Sequence, residues 1–224
     1  HAFRVTVRPP RPDFALAFNP TAPGVWRNGG VPVTVTATRR DGFDGAIKLK
    51  LDGLPPGLHA PETFIEAGQV STAFALFAPA DAKVPPNTRL KLVGTAAIDG
   101  KDVTRTADGG LPAVLDTADI RTTVRGDTLV IRPGHETKFV VDIERRNGFA
   151  GRVPLEVRGL PHGVRVLNIG LNGILVTERD TSREVTLYCE PWVRAMEHPV
   201  VVLAKREGKN TDHAARSVLL RVQP

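Results

Sequence analysis

Acidic and basic side chains lie close together in a glycine-bearing stretch, RRDGFDG, that begins at Arg39. Asp41 and Asp44 could serve as calcium ligands, because Ca²⁺ takes several oxygen ligands from a flexible turn. A second copy, RRNGFAG, follows 106 residues later and has Asn147 and Ala150 at the same positions. Since the copy keeps the glycines, the phenylalanine and the arginines but not the carboxylates, we interpret the stretch as a structural turn and predict no metal site.

The arginine pairs in this stretch are its remaining candidates for binding. An arginine fork can bind a carboxylate or a phosphate, so the pairs could recognise acidic glycans, phosphate or a partner's carboxylate. We favour a structural role, in which arginines at strand ends cover apolar surface or pair with the protein's own carboxylates. The four residues are Arg39, Arg40, Arg145 and Arg146.

The two tryptophans are further candidates, because exposed aromatic rings are platforms for sugars. Trp26 aligns with Arg132 of the second copy and Trp192 aligns with Asp81 of the first, so neither ring is a repeated core feature. Each could be a surface platform or a contact between domains. We favour the contact, because large apolar rings are rarely left exposed without a partner.

Residue types that carry catalysis are present but form no recognised motif. The three serines, Ser71, Ser182 and Ser217, lie outside any G-x-S-x-G. The sequence has no H-E-x-x-H, C-x-x-C, P-loop or G-x-G-x-x-G pattern, and its six histidines are dispersed. Cys189 is the single cysteine, so no internal disulfide can form, and its strand-like surroundings predict a buried thiol. We predict no catalytic residue, no metal, no cofactor and no enzymatic activity.

The charge is spread evenly over the chain. The net charge is +6; residues 1–112 hold 13 basic and 10 acidic side chains (+3), and residues 113–224 hold 17 and 14 (+3). Because nucleic-acid binding concentrates positive charge on one face or helix, we predict no nucleic-acid partner. No run approaches the ~18 apolar residues of a membrane span, so we predict no membrane insertion. The first residue is His rather than Met, and we expect the chain to be a piece of a longer protein.

The elements that must position these side chains are strands. Apolar and polar residues alternate in Val31–Thr38 and in Thr137–Glu144, as a half-buried strand requires. Turn signals interrupt such runs every eight to twelve residues, as in β-sandwiches. The 19 prolines and 21 glycines break every helical window. We predict an all-β chain.

The repeat divides the chain into two copies. The match holds at a spacing of 106 residues up to Gly57, and of 111 residues beyond it, where Leu92 is expected to match Leu203. Two copies of about 100 residues predict two tandem immunoglobulin-like β-sandwiches of about seven strands each. We place them at residues 1–112 and 113–224, and residues 1–12 could be a strand of a preceding repeat. The short, partly apolar link Ala107–Asp119 predicts restrained hinging.

A turn motif recurs in both copies. Asp-Gly and Asn-Gly tolerate the positive φ of tight turns, a phenylalanine would fold back over the core, and G-L-P-x-G would form a corner between strands. His162 stands where the first copy has Pro56, so an imidazole is not needed there. The motif residues are Gly42, Phe43, Gly45, Gly53, Leu54, Pro55 and Gly57, and Gly148, Phe149, Gly151, Gly159, Leu160, Pro161 and Gly163.

The run TVTATRRDGFDGAIKLKLDGLPPGL and its copy VVDIERRNGFAGRVPLEVRGLPHGV resemble bacterial Ig-like domains that recur in large exported or surface proteins. They are most similar to domains of planctomycete-type proteins that also carry bacterial pre-peptidase C-terminal domains. The resemblance covers both copies and implies accessory sandwiches outside the cytoplasm, with no catalytic residues to transfer. The chain departs from antibody-type domains, because it has no cysteine pair and has Leu49 and Leu155 in place of the strand-C tryptophan.

These observations predict a non-catalytic spacer or interaction module of a larger exported or cell-surface bacterial protein, with a positioning or adhesion role. Its partners would be the flanking domains of the parent protein and a protein or a cell-surface glycan. The alternatives are a carbohydrate-binding module, based on the tryptophans and arginine pairs, and a periplasmic pilus-type chaperone, suggested by the basic isoelectric point and two Ig-like domains.

Overall fold

The computed structural model of the chain describes residues 8–85, 87–171, 173–209 and 211–224, and within them every regular element is a β-strand. Residues 8–12 have no regular structure. The remainder of the segment for which we predict a strand of a preceding repeat, residues 1–7, lies outside the described residues.

The first sandwich has one sheet of order β1-β3-β6 and a second of order β5-β4-β7-β8, with the short β2 parallel to β9. The alternation in β4 shows why the sheets face each other: Ile47, Leu49 and Leu51 are buried in the core, and Lys48 and Lys50 face solvent. The strands are β1 (Asp13–Asn19), β2 (Gly24–Trp26), β3 (Gly29–Arg40), β4 (Ile47–Asp52), β5 (Thr63–Ile65), β6 (Ser71–Ala78), β7 (Lys91–Ile98), β8 (Lys101–Asp108) and β9 (Ala113–Leu115).

The second sandwich repeats this plan around a separate core. One sheet has the order β10-β12-β16-β14; in the other, β13 lies between β15 and β17, and β17 pairs with β18 and β19, the latter also parallel to β11. The strands are β10 (Ile120–Val124), β11 (Thr128–Ile131), β12 (Glu136–Arg145), β13 (Val153–Arg158), β14 (Val164–Leu167), β15 (Ile174–Val176), β16 (Ser182–Cys189), β17 (Met196–Lys205), β18 (Asp212–Ala214) and β19 (Val218–Val222). The predicted fold class, two tandem immunoglobulin-like sandwiches, is confirmed, with some extra short strands.

The first sandwich continues past residue 112, where the sequence places the boundary. Strand β9 pairs with β2, at Val25 and Val114 for example, and so belongs to the first sandwich. The second core begins at Ile120. The short parallel pairing of β2 and β9 is not visible in the sequence, because three-residue strands have no measurable alternation.

The predicted match of Leu92 with Leu203 is wrong by one residue. Leu51 pairs with Leu92 in the first sandwich, and its counterpart Val157 pairs with Val202 in the second. The spacing is therefore 110 residues between β7 and β17. Since a slip of one residue turns a side chain to the other face of a sheet, Val202 lies in the core and Leu203 faces away from it.

The five residues that the second copy gains lie between Gly163 and β15. In the first sandwich a single bridge joins His59 to Phe77, whereas the second has the full β14–β16 pairing at this place. The turn after β14 exposes Ile169 and Leu171.

The two sandwiches meet in what we call the domain interface, a cluster of small and aliphatic side chains that lies outside both cores. At its centre β18 pairs with β3 through Ala214 and Gly30, which links a sheet of one sandwich to a sheet of the other. A strand pairing of this kind restrains hinging of one sandwich against the other, in line with the prediction made from the short link. The cluster consists of Ala73, Ala75, Val201, Leu203 and Ala214.

Candidate functional site

The first arginine of each pair binds the protein's own backbone. Arg39, at the end of β3, donates three hydrogen bonds of 2.6–2.9 Å to carbonyl oxygens, and Arg145 does the same from β12 at 2.6–2.9 Å. Both guanidinium groups therefore tie the turn before the following strand to a second loop, and neither fork is left for a ligand. The acceptors are Gly45, Glu66 and Gln69 for Arg39, and Gly151, Thr177 and Asp180 for Arg145.

The second arginines differ between the copies. Arg146 is half-buried and donates two hydrogen bonds of 2.8 Å to the Glu144 carboxylate, which lowers the pKa of that carboxyl group. Arg40 is exposed and makes no side-chain hydrogen bond or ion pair to the other described residues. Of the four predicted arginines, Arg40 alone has an exposed guanidinium that is not bound to another described residue and could bind a ligand.

The turn motif supports the strand ends. Asp41 and Gly42 both have positive φ, 49° and 82°, and Asn147 and Gly148 have 52° and 73°, values that Asp, Asn and Gly adopt at low cost. The Phe43 ring folds back onto its own turn, so that a β-carbon added at Gly45 would come within 2.9 Å of it, and Phe149 covers Gly151 in the same way. These turn residues line none of the cavities described below, whereas Leu160, Pro161 and Gly163 of the second G-L-P-x-G corner line one of them.

Two buried histidines of the second sandwich meet aromatic rings of the first at the domain interface. Trp26 stacks on His213 with ring centroids 5.3 Å apart and an interplanar angle of 21°. Phe64 meets His198 edge-on at 4.8 Å, and His198 Nε2 lies 3.2 Å from the Phe64 carbonyl oxygen. Trp26 is therefore a contact between the domains rather than a free platform.

Burial lowers the pKa of His213, because the charged ring would be poorly solvated. The carboxylates of Asp119 and Asp212 oppose this shift, and the guanidinium of Arg206 adds to it. His213 Nδ1 is buried and has no hydrogen-bond partner among the described residues, so a proton there would be unpaired. The neutral ring is the form that the domain interface accommodates.

The most perturbed carboxylate belongs to an ion-pair network on a sheet surface. Glu156 accepts a hydrogen bond from Arg158 Nε at 2.6 Å and pairs with Lys205 Nζ at 2.7 Å. The Arg158 bond, assisted by Lys205, lowers the pKa of Glu156 to about 2 although desolvation opposes the shift. The three side chains line none of the larger cavities described below, so we interpret them as a structural network rather than a catalytic group.

Trp192 is exposed, unlike Trp26, and packs against a residue that lines a cleft between the sandwiches. Its ring is 5.1 Å from the ring of His162, and His162 lines a cleft of about 250 Å³ together with Glu66 and Gln69 of the first sandwich. We call this space the polar cleft, since most of its lining side chains can form hydrogen bonds. Leu160, Pro161 and Gly163 of the predicted turn motif also line it, beside Glu66 and Gln69, which the sequence did not single out.

A larger cavity of about 470 Å³ opens between the outer face of β4 and β7 and the second sandwich. Phe64, Pro199 and Leu219 give it an apolar floor, and Lys48 and Lys50 lie at its side. Thr63 also lines it, and its buried hydroxyl has no hydrogen-bond partner among the described residues. One hydroxyl does not specify an occupant, so the polar cleft is the better defined candidate.

Chemistry beyond binding has little support among the described residues. Cys189 is fully buried, which confirms the predicted buried thiol, and burial raises its pKa. No group of three or more His, Cys, Asp or Glu side chains in the described ranges could hold a metal ion. No helix in this part of the chain is long and apolar enough to cross a membrane.

No protein-family model and no curated protein matches the sequence. Among solved structures, the chain is similar to a protein of unknown function from Porphyromonas gingivalis W83, at 13% identity and a TM-score of 0.31 over 93% of this chain and 99% of that one. It is similar to the fibronectin(III)-like modules of Clostridium thermocellum CbhA, at 11% identity and a TM-score of 0.27 over 92% of each chain. It is also similar to domains 4 and 5 of the S-layer protein SbsC, at 12% identity and a TM-score of 0.33 over 95% of this chain and 98% of that one. Similarities this low are too weak to transfer a function.

Sequence reasoning favoured Trp26 as a contact between domains, but it missed the small and aliphatic residues of the domain interface and Glu66 and Gln69 of the polar cleft. One signal was available: Val200–Ala204 is a continuous apolar run, whereas the equivalent stretch of the first copy, Leu90–Gly94, is interrupted by Lys91. A strand that is buried on both faces reads as such a run. For Glu66 and Gln69 there is no comparable signal, because a single polar side chain in a loop is ordinary.

Proposed function

We propose that the chain is a rigid, non-catalytic spacer and interaction module of a larger exported or cell-surface protein. The observation that carries this proposal is the domain interface, in which a strand of the second sandwich pairs with a strand of the first. A spacer that positions its neighbours must transmit a fixed orientation, and a shared sheet with buried contacts on both sides of the pairing would do so.

Two hydrogen bonds between the sandwiches support the rigidity. The Ala75 backbone N–H, on the edge of β6, donates to Ser217 Oγ of the second sandwich at 2.8 Å. On another side of the interface, the His162 backbone N–H donates to Glu66 Oε1 at 2.7 Å. Breaking the part-buried Ala75–Ser217 bond while its groups stay buried costs about 1–3 kcal/mol, and the exposed His162–Glu66 bond contributes less. Rotation of one sandwich against the other is therefore opposed at more than one point.

The exported location and the bacterial context rest on the resemblance of the two RR-x-GF-x-G copies to Ig-like domains of planctomycete-type proteins. On this proposal the module works in the periplasm, at the cell surface or outside the cell, beside flanking domains such as the bacterial pre-peptidase C-terminal domain. The glycan or protein partner and the absence of enzymatic activity belong to the same proposal.

Distance measurements between two spin labels test the rigidity. Lys101→Cys in β8 and Arg179→Cys before β16 place one label on each sandwich at exposed positions. Cys189 is fully buried and should not react in the folded protein. We expect one narrow distance distribution that stays narrow from low to high salt.

A broad distribution in the native protein would contradict the spacer proposal. A turnover activity against hydrolase substrates that one point mutation abolishes would contradict its non-catalytic part. Fractionation of the source cells, with detection of the parent protein in the cytoplasm alone, would overturn the exported location.

A further inference from the structure

Trp192 is the one aromatic among the exposed large hydrophobic side chains of the described residues, with 58% of its surface accessible. Its ring is held in place: a β-carbon added at Gly163 would lie 2.6 Å from it, and the His162 ring lies against it at 5.1 Å and 47°. An indole that is fixed on one side and open on the other is a preformed stacking surface, since little side-chain entropy remains to be lost on binding.

Trp192 does not itself line the polar cleft, but the two residues that its ring contacts, His162 and Gly163, do. Gly163 and His162 line it from the second sandwich, and Glu66, Gln69 and Ser71 line it from the first. Its volume of about 250 Å³ is below the ~300–1,000 Å³ that drug-sized ligands occupy, so it suits one ring-sized group rather than a long chain.

The hydrogen-bonding groups of the cleft are only partly used. Glu66 Oε1 accepts the His162 backbone N–H, which leaves Oε2 as a free acceptor. The side chains of Gln69 and Ser71 make no hydrogen bond to other described residues, so an amide and a hydroxyl are available as both donor and acceptor.

Arg39 positions this wall of the cleft. Its guanidinium binds the carbonyl oxygens of both Glu66 and Gln69, at 2.9 Å each. The turn that carries these two side chains is therefore fixed before any ligand arrives, as a specific binding site requires. In the second copy the equivalent positions are Thr177 and Asp180, so the duplication repeats the arginine but not this pair of side chains.

A hexopyranose has the chemistry that fits these groups. Its ring has an apolar face of C–H groups that packs on an aromatic surface, and its rim carries hydroxyls that both donate and accept hydrogen bonds. We propose that the polar cleft binds one neutral sugar residue, which is hydrogen-bonded by Glu66 and Gln69 and extends past His162 onto the ring of Trp192.

The same groups argue against other occupants. A peptide anchor would need an apolar pocket, whereas this cleft is lined mainly by polar side chains. An acidic sugar would bring its carboxylate towards Glu66, and like charges in a partly desolvated site repel. The ligand class is therefore a neutral saccharide.

The site is composite, because Glu66 and Gln69 come from one sandwich and His162 and Trp192 from the other. It exists only while the domain interface is closed, so a bound sugar should stabilise the interface by mass action. The inference adds a ligand to the spacer that we propose and does not depend on where the parent protein is located.

Saturation-transfer NMR with the whole chain tests the proposal. The probes are the methyl glycosides of glucose, galactose and mannose, methyl N-acetylglucosaminide, and glucuronic acid. We expect a saturable signal from at least one neutral probe and a much weaker one from glucuronic acid. Trp192→Ala and Gln69→Ala should each weaken the binding by about tenfold or more, because each removes one of the few direct contacts.

Matched controls separate binding from folding. Val70→Ala alters an exposed neighbour of Gln69, and Trp26→Phe alters the other tryptophan; both should keep the affinity within about twofold. Glu66→Gln keeps an oxygen for the His162 N–H and removes the charge, so glucuronic acid should then bind about as well as glucose.

Three outcomes would overturn the proposal: no probe gives a saturable signal up to on the order of 50 mM, Trp192→Ala binds like the parent chain, or Trp192→Ala abolishes binding to a protein while no sugar binds. None of these results would change the spin-label distances, so a failed sugar site is distinguishable from a failed spacer.

Discussion

Gly159 and Gly53 are equivalent glycines of the two copies, and only one of them touches the other sandwich. Both have positive φ, 72° and 65°. A β-carbon at Gly159 would overlap the Ala73 carbonyl oxygen of β6, well inside the 3.0 Å that real β-carbons keep from other atoms. At Gly53 the nearest atom would be the Arg89 carbonyl oxygen, at 3.8 Å. Alanine at the two positions therefore tests the domain interface with the backbone conformation held nearly constant.

The expected costs follow from these two situations. Alanine in the left-handed region costs about 1–2 kcal/mol, and this term applies to both variants. Gly159→Ala adds a steric overlap that the packed backbone of β6 cannot avoid without movement, which costs about 1–3 kcal/mol in well-packed regions. We therefore expect the free energy of unfolding to fall by about 1–3 kcal/mol more in Gly159→Ala than in Gly53→Ala. For a protein of this size the difference corresponds to about 2–12 °C in Tm.

Urea unfolding followed by far-UV circular dichroism measures the free energy of unfolding of each variant. The spin-label distances report whether the two sandwiches keep their relative position. Gly159→Ala should also shift or broaden the distance distribution, because separation of the sandwiches relieves the overlap. Gly53→Ala should leave the distribution unchanged. Equal losses of stability within ~0.5 kcal/mol, together with unchanged distances in both variants, would refute the account of a close, rigid interface.

Three further predictions concern single side chains. Arg145→Met leaves three carbonyl oxygens without their donor and should lower the free energy of unfolding by about 2–4 kcal/mol in urea titrations, whereas Arg40→Met should change it by less than ~0.5 kcal/mol. Glu156 has a pKa of about 2 in the folded protein, so its contribution is present above its ordinary pKa near 4.5 and is lost as the pH falls towards 2. Glu156→Gln should flatten the stability curve over that interval; a parallel curve would contradict the ion-pair network. The pKa of His213 is lowered by burial, so stability should fall as the pH drops below about 6.5, and His213→Gln should remove this slope in unfolding curves at about pH 5 and 7.5.

The strands were predictable because their signal is local. In β12, Phe139, Val141 and Ile143 are buried, and the intervening side chains are not, as the alternation of the sequence requires. The duplication strengthened each assignment, since two independent sequences had to fit one pattern. The internal comparison also separated the turn residues from the acidic side chains without any knowledge of the structure.

The roles of the arginines could not be predicted in the same way. Arg39 binds carbonyl oxygens 6, 27 and 30 residues away, and every residue type has such an oxygen. A sequence shows which side chain is charged but not which backbone groups lie within its reach. The register of β17 failed for a related reason: Val200–Ala204 is apolar at every position, so its pattern fits two registers equally well.

The domain interface joins faces that are not equivalent in the two copies. Ala73 on the outer face of β6 corresponds to Glu184, which is exposed and paired with Lys138, and Val201 of β17 corresponds to the exposed Lys91. A head-to-tail contact of this kind could in principle be repeated by a further copy at either end. A third sandwich in the same arrangement would bury Lys91 or Glu184 against aliphatic side chains, and an unpaired buried charge costs several kcal/mol. The charges therefore disfavour this mode of contact between the described pair and a third sandwich of the same kind.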